Sequence, residues 1–112
     1  MPSAVFDRWD VVVVPFPFSE KAGGKRRPAL VLSNRDFNRA GHAVLAMITT
    51  KGHDPWPGDC EITDLQAAGL PLPCIVRLKL FTLDNRVILR TLGRLGDADR
   101  ARVETSLEEH LR

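Results

Sequence analysis

Apolar and polar positions follow a β rhythm over most of the chain and a helical one only at its end. WDVVVVP, residues 9–15, is β-branched and almost wholly apolar, so it reads as a buried strand. Pro15 and Pro17 each remove a backbone donor, so this strand must end there or run along an edge. Ser19 to Arg26 (SEKAGGKR) is a loop, loosened by Gly23-Gly24 and made basic by Lys21, Lys25 and Arg26. Pro28 to Ser33 (PALVLS) predicts a second strand, with Pro28 tolerated only at its first position. Asn34 to Gly41 is polar and reads as a connection, and His42 to Thr50 (HAVLAMITT) is a third strand. Lys51 to Gly58 (KGHDPWPG) is a long turn, and Asp59 to Ile62 a short strand. Leu65 to Pro73, with Gly69, Pro71 and Pro73, is a loop. Cys74 to Leu83 and Leu89 to Leu95 complete the strands.

After Leu95 the period changes. Asp97 or Asp99 suits a helix N-cap. Val103, Leu107 and Leu111 then form an apolar stripe on a helix of about fifteen residues. Strands that dominate and do not alternate with helices argue against a parallel α/β sheet. The expected fold is mainly β, a β-rich α+β arrangement: a small antiparallel barrel with a packed C-terminal α-helix.

Composition sets bounds on this picture. The 112 residues suit one domain, 1–112. With 44% hydrophobic and 27% charged residues of mixed sign, the chain is not of a disordered class. The N-terminal stretch MPSAVFDRWD lacks an apolar targeting core, and the apolar run Val11 to Phe18 is too short to span a bilayer. A cytoplasmic location is expected. Cys60 and Cys74 fit neither a CxxC pair nor a zinc site, so reduced thiols are expected. His42, His53 and His110 are scattered. No metal ligand set and no cofactor motif is read.

Charge is uneven. Residues 21–51 hold seven Lys/Arg against Asp36 alone, and residues 77–94 hold five (Arg77, Lys79, Arg86, Arg90, Arg94) against Asp84. Acids gather at 52–64 and in the final helix. Positive regions of this kind suit a polyanion, although a solvated charged surface explains them equally well.

No GxxxxGK[ST], HExxH or GxSxG occurs. What remains is a positioned set. Lys25 and Arg26 lead into Arg27, which Pro28 pushes into an extended backbone. Thr49 and Thr50 end the third strand, and Lys51 follows. If the second and third strands pair, Arg27 and Thr49 share one rim of the sheet. Trp56, between Pro55 and Pro57, is a candidate to stack a base, whereas Trp9 suits packing.

SEKAGGKRRPALVLSN followed by VLAMITT resembles the MazF/PemK toxins of bacterial toxin–antitoxin pairs. The pattern is an apolar strand after an acid (WDVVVVPFPF), a Gly-rich loop ending in Arg-Pro, a strand ending in Ser, and a strand ending in Thr. The resemblance implies an SH3-like barrel, a homodimer, and metal-independent cleavage of single-stranded RNA, often mRNA, at a short sequence. It implies Arg27 and Thr49 as catalytic, with Thr50 the alternative to Thr49, and matches Glu20 to an acidic loop position. It also implies a cognate antitoxin that blocks the basic groove, and DNA binding together with that antitoxin. Lys25, Arg26, Thr50, Lys51, Trp56 and Arg86 are the candidate RNA contacts.

The chemistry fits these residues. RNA carries its own nucleophile, the 2′-OH. A guanidinium fork binds phosphate oxygens bidentately and stays protonated, which also makes it a poor base. Two other functions share the barrel: a gyrase poison of the CcdB type, which would not need Arg27, and an RNA-binding barrel without activity.

Overall fold

The computed structural model describes residues 5–16, 25–52 and 54–112. Glu20, Lys21, Gly23, Gly24 and His53 lie outside the described residues.

In chain order the elements are β1 (Asp10–Phe16), β2 (Lys25–Val31), α1 (Arg35–Asn38), β3 (His42–Thr50), β4 (Cys60–Glu61), α2 (Leu65–Ala68), β5 (Cys74–Asp84), β6 (Arg90–Arg94) and α3 (Asp97–Leu111). A single 3₁₀ turn, Asn85–Val87, joins β5 to the approach to β6. The strands form one antiparallel sheet in the order β4-β5-β3-β2-β1-β6, curled into a half-barrel with the C-terminal helix against it. The barrel-like, mainly β architecture expected from the strand pattern is therefore present.

Alternation along the strands divides the interior in two. Val11, Leu30, Ala46, Ile48 and Val76 face α3, whose Val103 and Leu107 join them. Val12, Val14, Ala29, Val31 and Leu45 face the other way and pack with Phe6, Leu83 and Ile88. The valine run is buried on both sides because β1 lies inside the sheet between β2 and β6. Trp9 packs against the first cluster, at a backbone φ of 78° that non-glycine residues rarely adopt.

The edge strands β4 and β6 share no ladder. Helix α2 spans the gap by packing on β6, and it does so at contact distance. A Cβ on Gly93 would run into the Ala67 carbonyl, and one on Gly69 into the Leu92 carbonyl. Gly69 also ends α2 in the left-handed conformation (φ 72°), which glycine adopts without penalty.

The structure corrects several expectations. Asn34–Gly41 and Leu65–Pro73 are not plain connections, since each holds a helical turn. These turns start at Asn34 and Asp64, whose side chains accept from Phe37 N and Ala67 N. Pro28 lies inside β2 rather than at its start. Val13, its partner in β1, gives its carbonyl to Leu89 N and so points its polar groups toward β6. Pro28's absent N–H would therefore have pointed toward β3, and the β2–β3 ladder begins one residue later, at Ala29.

Neither Asp97 nor Asp99 caps α3; Gly96 does so without a side-chain bond. Asp99, only 2% exposed, instead accepts Thr63 N (3.0 and 3.1 Å), Thr63 Oγ1 (2.8 Å) and Asp64 N (3.0 Å), and it pairs with Arg102. Burial alone would raise its pKa. The donors of Asp64 and Thr63, helped by Arg102, outweigh that and hold it below 3.8. The buried stripe of α3 is accordingly Asp99, Val103 and Ser106 with Leu107 beside it, and Leu111 is exposed.

Both cysteines are free, Cys60 partly and Cys74 fully buried. Among the described residues no helix is long and apolar enough to cross a membrane.

Candidate active site

Arg27 and Thr49 lie in one row across the sheet. β1 pairs Val14 with Arg27, and β5 pairs Ile75 with Thr49. Between them β2 pairs Ala29 with Met47, and the same register continued sets Arg27 opposite Thr49. Residues directly opposite in an antiparallel pair share a face. The face is that of Ala29, Val31 and Leu45, away from α3, so the helix leaves it uncovered. Pro28 contributes locally: beyond it β2 is bordered by β1 alone, and Lys25, Arg26 and Arg27 are all exposed. Among the described residues no acid pairs with any of these three cations.

On the β3 side Thr49 is half-buried and Thr50 exposed. Lys51 donates its backbone N–H to Pro73 O, and its Nζ lies 2.9 Å from Glu61 Oε1. Both side chains are more than half exposed, so this pair is weak and its lysine is available to a phosphate.

Trp56 belongs to a tight turn. Asp59 N donates to Trp56 O (3.1 Å), with Pro57 and Gly58 (φ 85°) in the middle, the residues a type II turn requires. The Asp59 carboxylate closes the turn from the other side by accepting Trp56 N at 3.0 Å. It also accepts a fork from Arg77, Nε at 3.1 Å and Nη2 at 2.9 Å, and the same Nη2 donates to Asp54 O at 2.7 Å. These side chains are 12% (Arg77) and 18% (Asp59) exposed, so both partners of this ion pair are shielded. Burial would raise the Asp59 pKa, but Arg77 and the Trp56 N–H together hold it below the usual carboxylate range. Asp59 in turn pushes the Arg77 pKa up. The Lys79 ammonium sits 4.5 Å from the Trp56 ring centroid.

The expected site residues thus fall into groups. On the continued register Arg27 faces Thr49; Lys25 extends this side along β2 and Lys51 follows β3, whereas Arg26 and Thr50 alternate to the other side of the strands. Arg86 stands apart. It binds Asp84 bidentately (3.1 and 2.8 Å), and Asp84 pairs with His42 at the other end of β3, about 25 Å of strand from Thr50. Glu20 lies outside the described residues. The sequence shows Arg77 and Lys79 only as part of a basic stretch, because their partners Asp59 and Trp56 come from the loop before β4. The Pro-Gly-Asp sequence after Trp56 was the one local sign of that arrangement. Among the described residues no group of three or more His, Cys, Asp or Glu is placed to hold a metal ion.

Comparison with known proteins bears on this geometry. The profile of the PemK-like, MazF-like toxin of type II toxin–antitoxin systems matches residues 7–111. A MazE–MazF crystal structure (Form-III) from Deinococcus radiodurans superposes with a TM-score of 0.74 at 26% identity, covering 96% of this chain and 97% of that one. An endoribonuclease from Mycobacterial species gives 0.75 at 20% identity, covering 99% and 95%. An endoribonuclease in complex with its cognate antitoxin, also from Mycobacterial species, gives 0.72 at 23% identity, covering 95% and 94%. At these last two identities the likeness is one of fold. No curated protein matches the chain in sequence.

Proposed function

Because the chain belongs to the PemK-like, MazF-like toxins of type II toxin–antitoxin systems, we propose that it is an endoribonuclease that cuts single-stranded RNA, mRNA included, on the Arg27–Thr49 row. What supports this reading is the β2–β3 register: continued past its last pair, Ala29–Met47, it would set the Arg27 guanidinium, with which no acid among the described residues pairs, opposite the Thr49 hydroxyl on the face α3 leaves uncovered. In the reaction the substrate's 2′-oxygen attacks the adjacent phosphorus and loses its proton. The P–O5′ bond breaks, and the departing 5′-oxygen takes up a proton. The products are a 2′,3′-cyclic phosphate and a 5′-hydroxyl end.

Negative charge gathers on the non-bridging oxygens in the transition state. Arg27 donates two parallel hydrogen bonds there, and Thr49 donates to the same oxygens or orients the 2′-OH. Each positioned donor of this kind is worth ~3–4 kcal/mol. No metal enters this scheme. Lys25 and Lys51 flank Arg27 and Thr49 to track the backbone, Arg26 and Thr50 reach it only from the rim because they alternate to the other face, and Trp56 offers a ring to a base. Arg86, remote and neutralised by Asp84, has no part in it. The active form is a homodimer, and its partner is a cognate antitoxin. The complex formed by an endoribonuclease of the same fold supports the latter.

The test is incubation of purified protein with single-stranded RNA in EDTA, with the product ends identified. Cyclic phosphate ends are expected, and Arg27→Ala should lose cutting about a hundred- to a thousandfold while keeping its fold. Glu20→Gln asks whether the loop acid takes part. Intact RNA together with inhibited DNA supercoiling would overturn the reading in favour of a gyrase poison, and binding without cuts would reduce it to an RNA-binding barrel.

A further inference from the structure

We propose that the Arg77–Asp59 ion pair is a positioning element that holds Trp56 as a fixed stacking platform for one unpaired base of the RNA, beside the Thr49 row. The proposal rests on the endoribonuclease reading and adds to it the residues that set one base subsite.

The geometry has three parts. First, one guanidinium reaches both ends of the segment 54–59: Arg77 Nη2 bonds Asp54 O, and the fork bonds Asp59. Among the described residues the segment is also tied from α3, where Ser106 Oγ donates to Gly58 O at 2.7 Å. Second, the Asp59 carboxylate that receives the fork also takes the Trp56 N–H, so the anchor passes directly to the residue carrying the ring. Third, the anchor sits where the site is. Arg77 is opposite Met47 in β3, two residues along from the Ile75–Thr49 pair and on the same face.

Trp56 is a large ring left 40% exposed although its backbone is tied down, and Lys79 braces it. A ring held ready needs no ordering when a base arrives, which improves affinity without new contacts. Every base has a π-face, so the platform takes any unpaired base, and duplex RNA offers none. Arg77, with its fork occupied, is not a phosphate ligand; it acts through Trp56.

The experiment is a double-mutant cycle on the full chain. The substrate is a short RNA carrying the protein's own mapped cut sequence, and the fold is checked by thermal melting. Trp56→Ala and Arg77→Ala should each raise KM about tenfold, the value of one stacked base, and leave kcat within about a factor of two. The double variant should be no worse than Trp56→Ala alone. Arg77→Lys, which keeps the charge but not the fork, should fall between wild type and Arg77→Ala. If Arg77→Ala melts, Asp59→Asn takes its place in the cycle.

Additive effects of the two substitutions, or an unchanged KM in a folded Arg77→Ala, overturn the proposal while leaving cleavage standing. If the wild type binds RNA but does not cut it, the catalytic reading alone fails. The cycle is then read as Kd on a 2′-O-methyl oligonucleotide of mixed sequence, with the same coupling expected. A wild type that neither cuts nor binds RNA overturns both.

Discussion

Asp99 ties the 63–64 segment to α3 from inside the helix, and removing its carboxylate tests that directly. The side chain is 2% exposed and receives Thr63 N, Thr63 Oγ1 and Asp64 N as well as Arg102. Hydrogen bonds to a charged acceptor are worth about 1.5–3 kcal/mol each, but Thr63 and Asp64 sit near the surface and recover part of that from water. A net loss of about 3 kcal/mol follows for Asp99→Ala, a large share of the stability of a domain this size. In melting temperature this is roughly 12 °C, at about 4 °C per kcal/mol.

Asp99→Asn keeps one good acceptor but turns an NH₂ toward a donor, so it should lose about 1–2 kcal/mol. Asp97→Ala, two residues earlier with a fully exposed side chain, should change stability by less than about 0.5 kcal/mol. Urea unfolding followed by fluorescence measures all three. The pH profile gives a second reading. The folded pKa of Asp99 lies below 3.8, so its contribution is complete above about pH 4–5 and drains away as pH falls through the lowered value. Asp99→Asn should flatten that acid limb. A loss below about 1 kcal/mol in Asp99→Ala, or equal losses at Asp97 and Asp99, would refute the clamp.

Other outcomes follow from the same coordinates. Thr49→Val keeps shape and strand propensity but deletes the hydroxyl, so cleavage should drop about a hundredfold; a larger drop in Thr50→Val would move that role one residue along β3. Gly93→Ala forces a Cβ into the Ala67 carbonyl and should destabilise by ~2 kcal/mol or more in urea unfolding, with no effect if α2 can simply lift away. Burial pushes up the thiol pKa of both cysteines, so a thiol reagent should label the native protein slowly and the urea-unfolded chain promptly. Rapid native labelling of Cys74 would contradict its burial.

Long-period signals were legible in the chain, and short or cross-chain ones were not. β3 spans His42–Thr50 as its residues suggest, because nine residues of strand-forming sequence bounded by Gly41 and Lys51 leave little choice. Helix α3 is long enough for its period to emerge. α1 and α2 are single turns, too short for a 3.6 repeat, and only Asn34 and the Asp64…Gly69 punctuation marked them. Asp99 looked like a cap because an acid in a first helical turn usually serves its own helix. That it serves the 63–64 backbone depends on packing between distant segments. Strand order alone suggests an Arg27–Thr49 row, and the Ala29–Met47 pairing is in the register such a row requires. The Asp59–Arg77 pair was not legible: Pro57-Gly58-Asp59 marks a turn, but nothing there indicates that the turn before β4 will lie against Arg77 of β5.

The strand order also bears on when the site can exist. β1 is synthesised early, yet one of its two neighbours is β6, so Asp10 waits for Arg94. Pairings this remote form slowly, because the intervening chain must be closed into a loop before any contact rewards it. A nascent chain that stops short of Arg90 has made Arg27 and Thr49 but leaves β1 bare along one side, with the aromatic and aliphatic packing around Ile88 incomplete. Arg27 and Thr49 are thus translated well before the strand that closes the sheet around them.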